Sequence, residues 1–452
     1  MNARYLSQSI RLSAVVATLA LAGIAFASSP QEKPLYSFQG PSAPNGQDGE
    51  GPNDLISDEY GNLYGVTTGG GICLLPHYES YPCGIVFELS PPASTGGAWT
   101  ETVLYEFGTN LAADGSNPVG NLGRDKWGNL YGVTFYSSSS SNGGTGCGDF
   151  YELSPPSQQG DAWTETILYT FQGYLYNDGC EPMGTLVSDA KGNIYGPTTY
   201  GGTFAGSIAP KGYSTGGIFE MSPPATVGSA WTESFTQNLG GGIYPQGGLT
   251  IDRKGILYGT AGSYGSTSPP TIFQLIPPAT AGGTWTGTTI YTFQTTDGSP
   301  SGGLIRDAKG NLYGTTQNGG TASAGSAFEL SPPQSGSSWT ETILYSFQGG
   351  SDGYAPLGRM TLDKSGNLYG TTVGGGMTSD YCTPWQGCGT VFKLTHPSNG
   401  WSKLILHRFH APPADGYFPS SALLLSGQAI YSTTTEGGTV SQDSYGTVFQ
   451  IN

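Results

Sequence analysis

Apolar and polar residues alternate in short runs along the 452-residue chain, and the runs recur. The plainest is an aromatic-polar-aliphatic triplet: Phe87-Glu88-Leu89, Tyr151-Glu152-Leu153, Phe219-Glu220-Met221, Phe273-Gln274-Leu275, Phe328-Glu329-Leu330, Phe392-Lys393-Leu394 and Phe449-Gln450-Ile451. A period of two predicts half-buried β-strands. Most copies run into Ser-Pro-Pro, where proline ends a ladder. Upstream of each lies a second phrase, cleanest as Asp363-Lys364-Ser365-Gly366-Asn367-Leu368-Tyr369-Gly370-Thr371-Thr372. Its tyrosine recurs at Tyr64, Tyr131, Tyr195, Tyr258, Tyr313, Tyr369 and Tyr431, a repeat period that speaks for a repeat architecture.

Asp-x-x-Gly-Asn is turn chemistry: the Asp side chain opens the turn, and Gly or Asn accepts a positive φ. Each phrase is therefore a hairpin. The Asp stands at Asp58, Asp125, Asp189, Asp252, Asp307 and Asp363, and three residues before it is Leu55, Leu122, Leu186, Leu249, Leu304 or Met360. Six repetitions mark the Asp as structural rather than catalytic. The seventh copy reads Leu425-Ser426-Gly427-Gln428-Ala429-Ile430-Tyr431, so its turn must differ.

A fourth strand starts at Trp99, Trp163, Trp285 or Trp339 and ends in Leu-Tyr-x-Phe or Ile-Tyr-x-Phe, with divergent versions after Trp231 and Trp401. Four strands repeated in this way predict an all-β, seven-bladed β-propeller. There are seven hairpins and seven triplet strands but only six Trp strands, and the chain stops just after the seventh triplet. Lys33-Pro34-Leu35-Tyr36-Ser37-Phe38 repeats the end of a Trp strand. It is expected to complete the last blade and close the ring, leaving no open edge. The expected organisation is a signal peptide over 1–27, a linker over 28–34 and the propeller over 35–452. An open β-solenoid would not need a split unit.

Composition narrows the function. Sixteen Lys and Arg against 32 Asp and Glu give a formal charge of -16, which argues against a nucleic-acid partner. Arg4 and Arg11, the apolar run from Ser13 to Phe26 and the small-x-small stretch Ala25-Phe26-Ala27 read as a secretory signal cleaved near Ala27. No later apolar run approaches the roughly 20 residues of a membrane helix. The expectation is an exported protein, periplasmic, at the cell surface or secreted, without membrane insertion and monomeric.

The connections after the second strand vary in length, over Gly69–Cys83, Phe135–Cys147, Tyr200–Gly217 and Val373–Cys388, whereas those on the opposite face are monotonous. Function on a repeat scaffold sits where insertions sit. The loops carry His77, Tyr78, Tyr81, Tyr136, Tyr200, Tyr213, Tyr381 and Trp385, aromatic residues suited to stacking on sugar rings, and these are the candidate ligand-binding residues. All six cysteines fall on this face, and the expected pairs are Cys73–Cys83, Cys147–Cys180 and Cys382–Cys388. Zinc is the weaker reading of them, because no Cys-x-x-Cys pair exists.

An Asp-Gly recurs at Asp48, Asp114, Asp178, Asp297, Asp352 and Asp415, just before the innermost strand. It reads first as a turn. Because the innermost strand follows, its carboxylates are expected to approach the mouth of the central channel, where they would form a ring able to attract Ca²⁺, but a spread ring seldom offers six to eight oxygens at one point. No cofactor is otherwise expected. Of the four histidines, His396, His407 and His410 read as local variants of repeat positions and only His77 lies in a variable loop. Neither Gly-x-Ser-x-Gly nor His-Glu-x-x-His occurs. The expected function is a non-catalytic module that binds a glycan or protein ligand through the variable face. The alternative is a secreted carbohydrate-active hydrolase or lyase that uses carboxylates from different blades.

The repeated phrases resemble the GloVer tandem-repeat family of bacterial exported proteins. The likeness lies in Gly-Asn-Leu-Tyr-Gly-Thr-Thr, a Gly-Gly segment and Gly-Thr-Val-Phe-Lys-Leu, best seen from Gly366 to Leu394, and covers essentially the whole mature chain. The hairpins are also similar to those of NHL-type and SMP-30-type propellers. The resemblance implies a propeller-like exported protein, often with a separate surface anchor, of which none follows Asn452 here. It implies no activity, since the family's repeats define no catalytic residues.

Overall fold

In the computed structural model, strand follows strand through seven antiparallel sheets that form the seven blades of a β-propeller. The structure describes residues 32–452 apart from 41–42, 44–46, 74–82, 95, 111–113, 138–145, 159, 174–177, 202–215, 227–228, 237–243, 246, 263–268, 281–282, 295, 335–337, 381, 383–385, 398–399, 411–414 and 439–444. The signal segment therefore lies outside the described residues.

Blade 1 shows the plan. Its innermost strand is broken into Gly49–Pro52 and Ile56–Ser57, followed by Leu63–Gly70, Ile85–Ser90 and the outer strand Thr100–Glu106. Blade 7 is assembled from both ends of the chain: Leu424–Ser426, Ala429–Thr434 and Thr447–Ile451 are completed by Glu32–Ser37, which pairs antiparallel with Thr447–Ile451. That closing strand begins at Glu32, so residues 32–34 belong to the blade and not to a linker.

The broken inner strand has a cause. Each inner segment carries a proline with no N–H to donate. Those at Pro118, Pro182, Pro356 and Pro419 follow a non-glycine residue held at positive φ: Asn117, Glu181, Ala355 and Phe418, at 57°, 56°, 55° and 59°. This conformation costs about 1–2 kcal/mol for an L-residue. It persists because each N–H donates to a carbonyl of the preceding blade, Asn117 to Cys83, Glu181 to Cys147, Ala355 to Ala324 and Phe418 to Cys388. The proline then rests on a glycine of that blade: a Cβ on Gly84 would stand 2.5 Å from Pro118 Cδ.

A layer of aromatic rings binds blade to blade. The triplet aromatics Phe87, Tyr151, Phe219, Phe273, Phe328, Phe392 and Phe449 are fully buried. Six of the seven rings lie where the second strand has a glycine, and a Cβ on Gly65 would stand 2.6 Å from Phe87 Cζ; in blade 7 Ser432 stands opposite Phe449. The last Phe of the neighbouring outer strand meets it edge to face, as in Phe38–Phe87 and Phe347–Phe392 at 5.1 Å between centroids. A β-bulge makes this possible. Pairing shifts register between Val86 and Phe87, opposite Tyr105 and Val103, so Leu104 and Phe107 both turn into the core. The same shift recurs in every outer strand that keeps the Leu-Tyr-x-Phe pattern or its His407 variant, and is absent from blade 3, which lost it.

The Asp turns are closed by their own side chains. Asp363 Oδ1 accepts from the N–H of Ser365 and Asn367 at 2.8 and 2.9 Å, and Oδ2 from Asn367 Nδ2 and Tyr369 OH at 2.7 and 3.1 Å. Burial raises the Asp363 pKa, but these bonds outweigh it and hold the carboxyl below its usual range. Asp363→Ala is expected to cost about 1–2 kcal/mol. Asp252→Ala should cost less, because Ile256 stands where the other Asp turns have Asn and, among the described residues, two backbone N–H groups are the donors to Asp252. Thermal denaturation of the two variants checks that order. The seventh hairpin turns through Gly427-Gln428, with Ser426 opposite Ala429 and Gly427 at φ 63°.

Candidate functional site

The channel opens, on the variable-loop face, into a cleft of 580 Å³. Two register positions build its wall. One is the fourth residue after the repeated tyrosine, which supplies Phe135, Thr199, Gly262 and Gln317. The other is the residue after the inner-strand proline, which supplies Met183, Ser301 and Leu357. Both positions line the cleft, one at the end of the second strand and the other at the break of the inner strand beside it. Tyr200 and Glu181 add an aromatic edge and a carboxylate. The lining is thus apolar and aromatic, with a few hydroxyl and amide groups, the chemistry of a small-ligand seat.

Of the candidate binding residues, His77, Tyr78, Tyr81, Tyr213, Tyr381 and Trp385 lie outside the described residues. Tyr200 ends the second strand of blade 3, half-buried and opposite Cys180, and lines the cleft. Tyr136 ends the corresponding strand of blade 2 with its ring edge-on to Phe135 at 4.8 Å, and it is Phe135 that lines the cleft. Tyr200 and Phe135 apart, the lining residues lie outside the variable loops on which the sequence expectation rests. The signal lies in the repeat itself: the fourth residue after the repeated tyrosine is Thr in three copies but Phe135, Gly262, Gln317 and Val373 in the others.

The three disulfides link Cys73 to Cys83, Cys147 to Cys180 and Cys382 to Cys388, with Cα separations of 5.3, 4.3 and 5.0 Å. Cys147–Cys180 ties the third strand of blade 2 to the inner strand of blade 3, beside the cleft.

The Asp-Gly carboxylates do not approach the channel mouth. They lie at the seams between outer strands, Asp48, Asp114, Asp178 and Asp415 buried and Asp297 and Asp352 half-buried. Tyr36 OH donates to Asp48 at 3.1 Å, Tyr105 to Asp114 at 2.7 Å, Tyr169 to Asp178 at 2.9 Å and Tyr345 to Asp352 at 2.8 Å. Each Asp also takes the N–H just beyond the outer strand, as from Gln39 at 2.6 Å and Gln348 at 2.8 Å. The Asp binds the end of one blade to the start of the next, which explains its repetition. Facing it from the next outer strand stands a second acid, Glu101, Glu165 or Glu233, each with Oε1 buried and unpartnered among the described residues. Burial first, and the neighbouring Asp second, push each of these glutamates up to about 8. Two seams differ. Lys403 replaces the Glu and pairs with Asp352 Oδ1 at 2.6 Å, and His407 replaces the Tyr, with Nε2 2.9 Å from Asp415 Oδ2.

A groove of 930 Å³ lies between blades 3 and 4 on the opposite face. Asp189, Lys191, Asp252, Arg253 and Lys254 line it, all from the repeated turns and of mixed charge. No helix among the described residues is long and apolar enough to cross a membrane.

No curated protein matches the chain. Among solved structures it is similar to the PQQ domain of a pyranose dehydrogenase from Coprinopsis cinerea, with 13% identity, a TM-score of 0.43 and coverage of 94% of this chain and 96% of that one. A protein of unknown function from Dyadobacter fermentans DSM 18053 gives 13% identity and a TM-score of 0.43, with coverage of 76% and 96%. Likeness of this degree carries no argument about activity. The Gloeobacter/Verrucomicrobia repeat model matches residues 134–385, more than half of the chain. With its hairpins, triplet strands and closing strand forming one ring, the chain belongs to the Gloeobacter/Verrucomicrobia repeat family.

Proposed function

We propose that the protein is an exported, non-catalytic binding module that seats a saccharide in the cleft at the channel mouth. The observation that carries this reading is the cleft's lining. Tyr200 and Phe135 offer aromatic surface for a sugar face, and Thr199, Ser299, Ser301 and Gln317 offer the hydroxyl and amide partners that sugar hydroxyls need. Glu181 is the one carboxylate among the described lining residues, whereas glycosidic hydrolysis ordinarily uses two across the scissile bond. Three disulfides suit an oxidising compartment outside the cytosol.

The test uses purified residues 28–452 with disulfides intact and a panel of bacterial and plant polysaccharides, scoring retention and, by mass spectrometry, released products. Retention without products is expected. Tyr200→Ala is expected to weaken it by about tenfold, the size of one lost stacking contact. Unchanged retention in that variant would remove the cleft as the seat, and released fragments would put the hydrolase or lyase in its place.

A further inference from the structure

One seam of the ring carries a donor set that the other described seams lack. Glu32, His407 and Asp415 bring one ligand atom each to within 4.8 Å of one another. They arrive from three places: Glu32 from the closing strand, His407 from the outer strand of blade 6, and Asp415 from the start of blade 7. His410 stands beside them, its Nδ1 3.7 Å from Asp415 Oδ2, with the side chain more than half exposed.

The comparison between seams makes this set informative. Where His407 stands, the equivalent seams hold Tyr36, Tyr105, Tyr169, Tyr291 and Tyr345, whose hydroxyl donates to a carboxylate of the seam. Imidazole in its Nδ1–H form instead presents a lone pair on Nε2. Asp415 is only 5% exposed, and its Oδ1 has no partner among the described residues. Glu32 Oε1 is likewise buried and unpartnered. The adjacent seam answers its half-buried Asp352 with Lys403, but no Lys or Arg pairs with Glu32 or Asp415 among the described residues. The His407 Nε2 to Asp415 Oδ2 distance of 2.9 Å is that of a hydrogen bond; two ligands of a tetrahedral ion, each about 2.1 Å from it, stand about 3.4 Å apart, so the pair opens by about half an ångström when an ion enters.

We propose that Glu32, His407 and Asp415 form a binding site for a divalent transition metal of the Zn²⁺ type, with His410 as fourth donor. The two carboxylates balance the charge of the ion. One imidazole with two carboxylates is a nitrogen-oxygen set that Zn²⁺ accepts in tetrahedral geometry, whereas Ca²⁺ takes six to eight oxygens. The ion would tie the first strand of the ring to its sixth and seventh blades and so clasp the closure. The site stands apart from the channel cleft and does not depend on the ligand proposed for it.

The test uses residues 28–452 freed of metal by chelation and then dialysed. Equilibrium dialysis against ZnCl₂ is expected to show one high-affinity equivalent, and a hundredfold excess over Kd to raise Tm by about 3–5 °C. His407→Tyr restores the residue that the other seams use, so it is expected to fold and keep its closure while losing both the bound equivalent and the Tm rise. His410→Ala should weaken binding at least tenfold. The proposal is overturned if His407→Tyr binds Zn²⁺ as the parent does, if no equivalent binds, or if CaCl₂ gives the shift and ZnCl₂ does not.

Discussion

A chain that starts at Gly40 instead of Ser28 is expected to lose its cooperative unfolding transition, or to melt more than about 10 °C below the chain that starts at Ser28. The segment removed supplies the outer strand of blade 7, paired with Thr447–Ile451. It also supplies Phe38, 1% exposed, which packs edge to face on Phe87 in blade 1, and Leu35 in the same cluster. Tyr36 and the Gln39 N–H are the donors that bind Asp48 across the seam. Deleting one buried Phe side chain costs about 3–5 kcal/mol. With the strand ladder and the orphaned Asp48 added, the loss rivals the roughly 5–15 kcal/mol net stability of an ordinary domain. Circular dichroism melting checks the truncation, and a synthetic peptide of residues 32–39 added in trans should restore part of the lost transition. If the shortened chain melts within a few degrees of the parent, closure by this strand is not what holds the ring.

The architecture was legible because each blade repeats the same solution to the same packing problem. The triplet, the Asp turn and the Trp strand are local signals, and the surplus copy at Leu35–Phe38 points to closure without any three-dimensional information. What was not legible depends on contacts between blades. Nothing in the spacing of Asp48 says that its carboxylate turns outward to Tyr36 instead of inward to the axis, because the direction is set by the bulge that redirects the outer strand. The cleft is half visible for the same reason: Tyr200 reads as a loop aromatic, whereas Phe135 lies in a strand and Gln317 just after one, and only the ring brings the two to one cleft. His407 read as a local variant since Glu32, its neighbour in space, is at the far end of the sequence.

Stability is expected to fall steadily from about pH 4.5 to pH 8, the reverse of what a chain of charge -16 rich in ion pairs would show. The groups responsible are the seam glutamates. Burial pushes Glu101, Glu165 and Glu233 up to about 8, with Asp48, Asp114 and Asp178 respectively adding repulsion; Asp149 adds to it at Glu165. Asp149, 1% exposed and beside Asp114, is raised to about 7 by burial, against a hydrogen bond from Thr170. The other titratable groups on these seams are Tyr36, Tyr105, Tyr151 and Tyr169, all pushed upward by burial and the adjacent acids, and no cation is paired with the glutamates among the described residues. Above the ordinary carboxylate range the unfolded chain has released protons that the folded chain still holds, so raising the pH favours unfolding until the folded groups titrate as well. One pH unit of such displacement is worth about 1.4 kcal/mol per group, and after discounting for partial solvent screening the four groups contribute roughly 5 kcal/mol. Below about pH 4 the trend reverses, because Asp58, Asp352 and Asp363 are held below their usual range and their hydrogen bonds weaken once they take up protons. Guanidinium denaturation at intervals from pH 3 to pH 9 should therefore give a maximum near pH 4–5. Glu165→Gln, which stays neutral at every pH, should flatten the descending limb and leave the acid side unchanged. A midpoint that is level or rising between pH 5 and pH 8 would show that the seam carboxyls are already ionised in the folded ring.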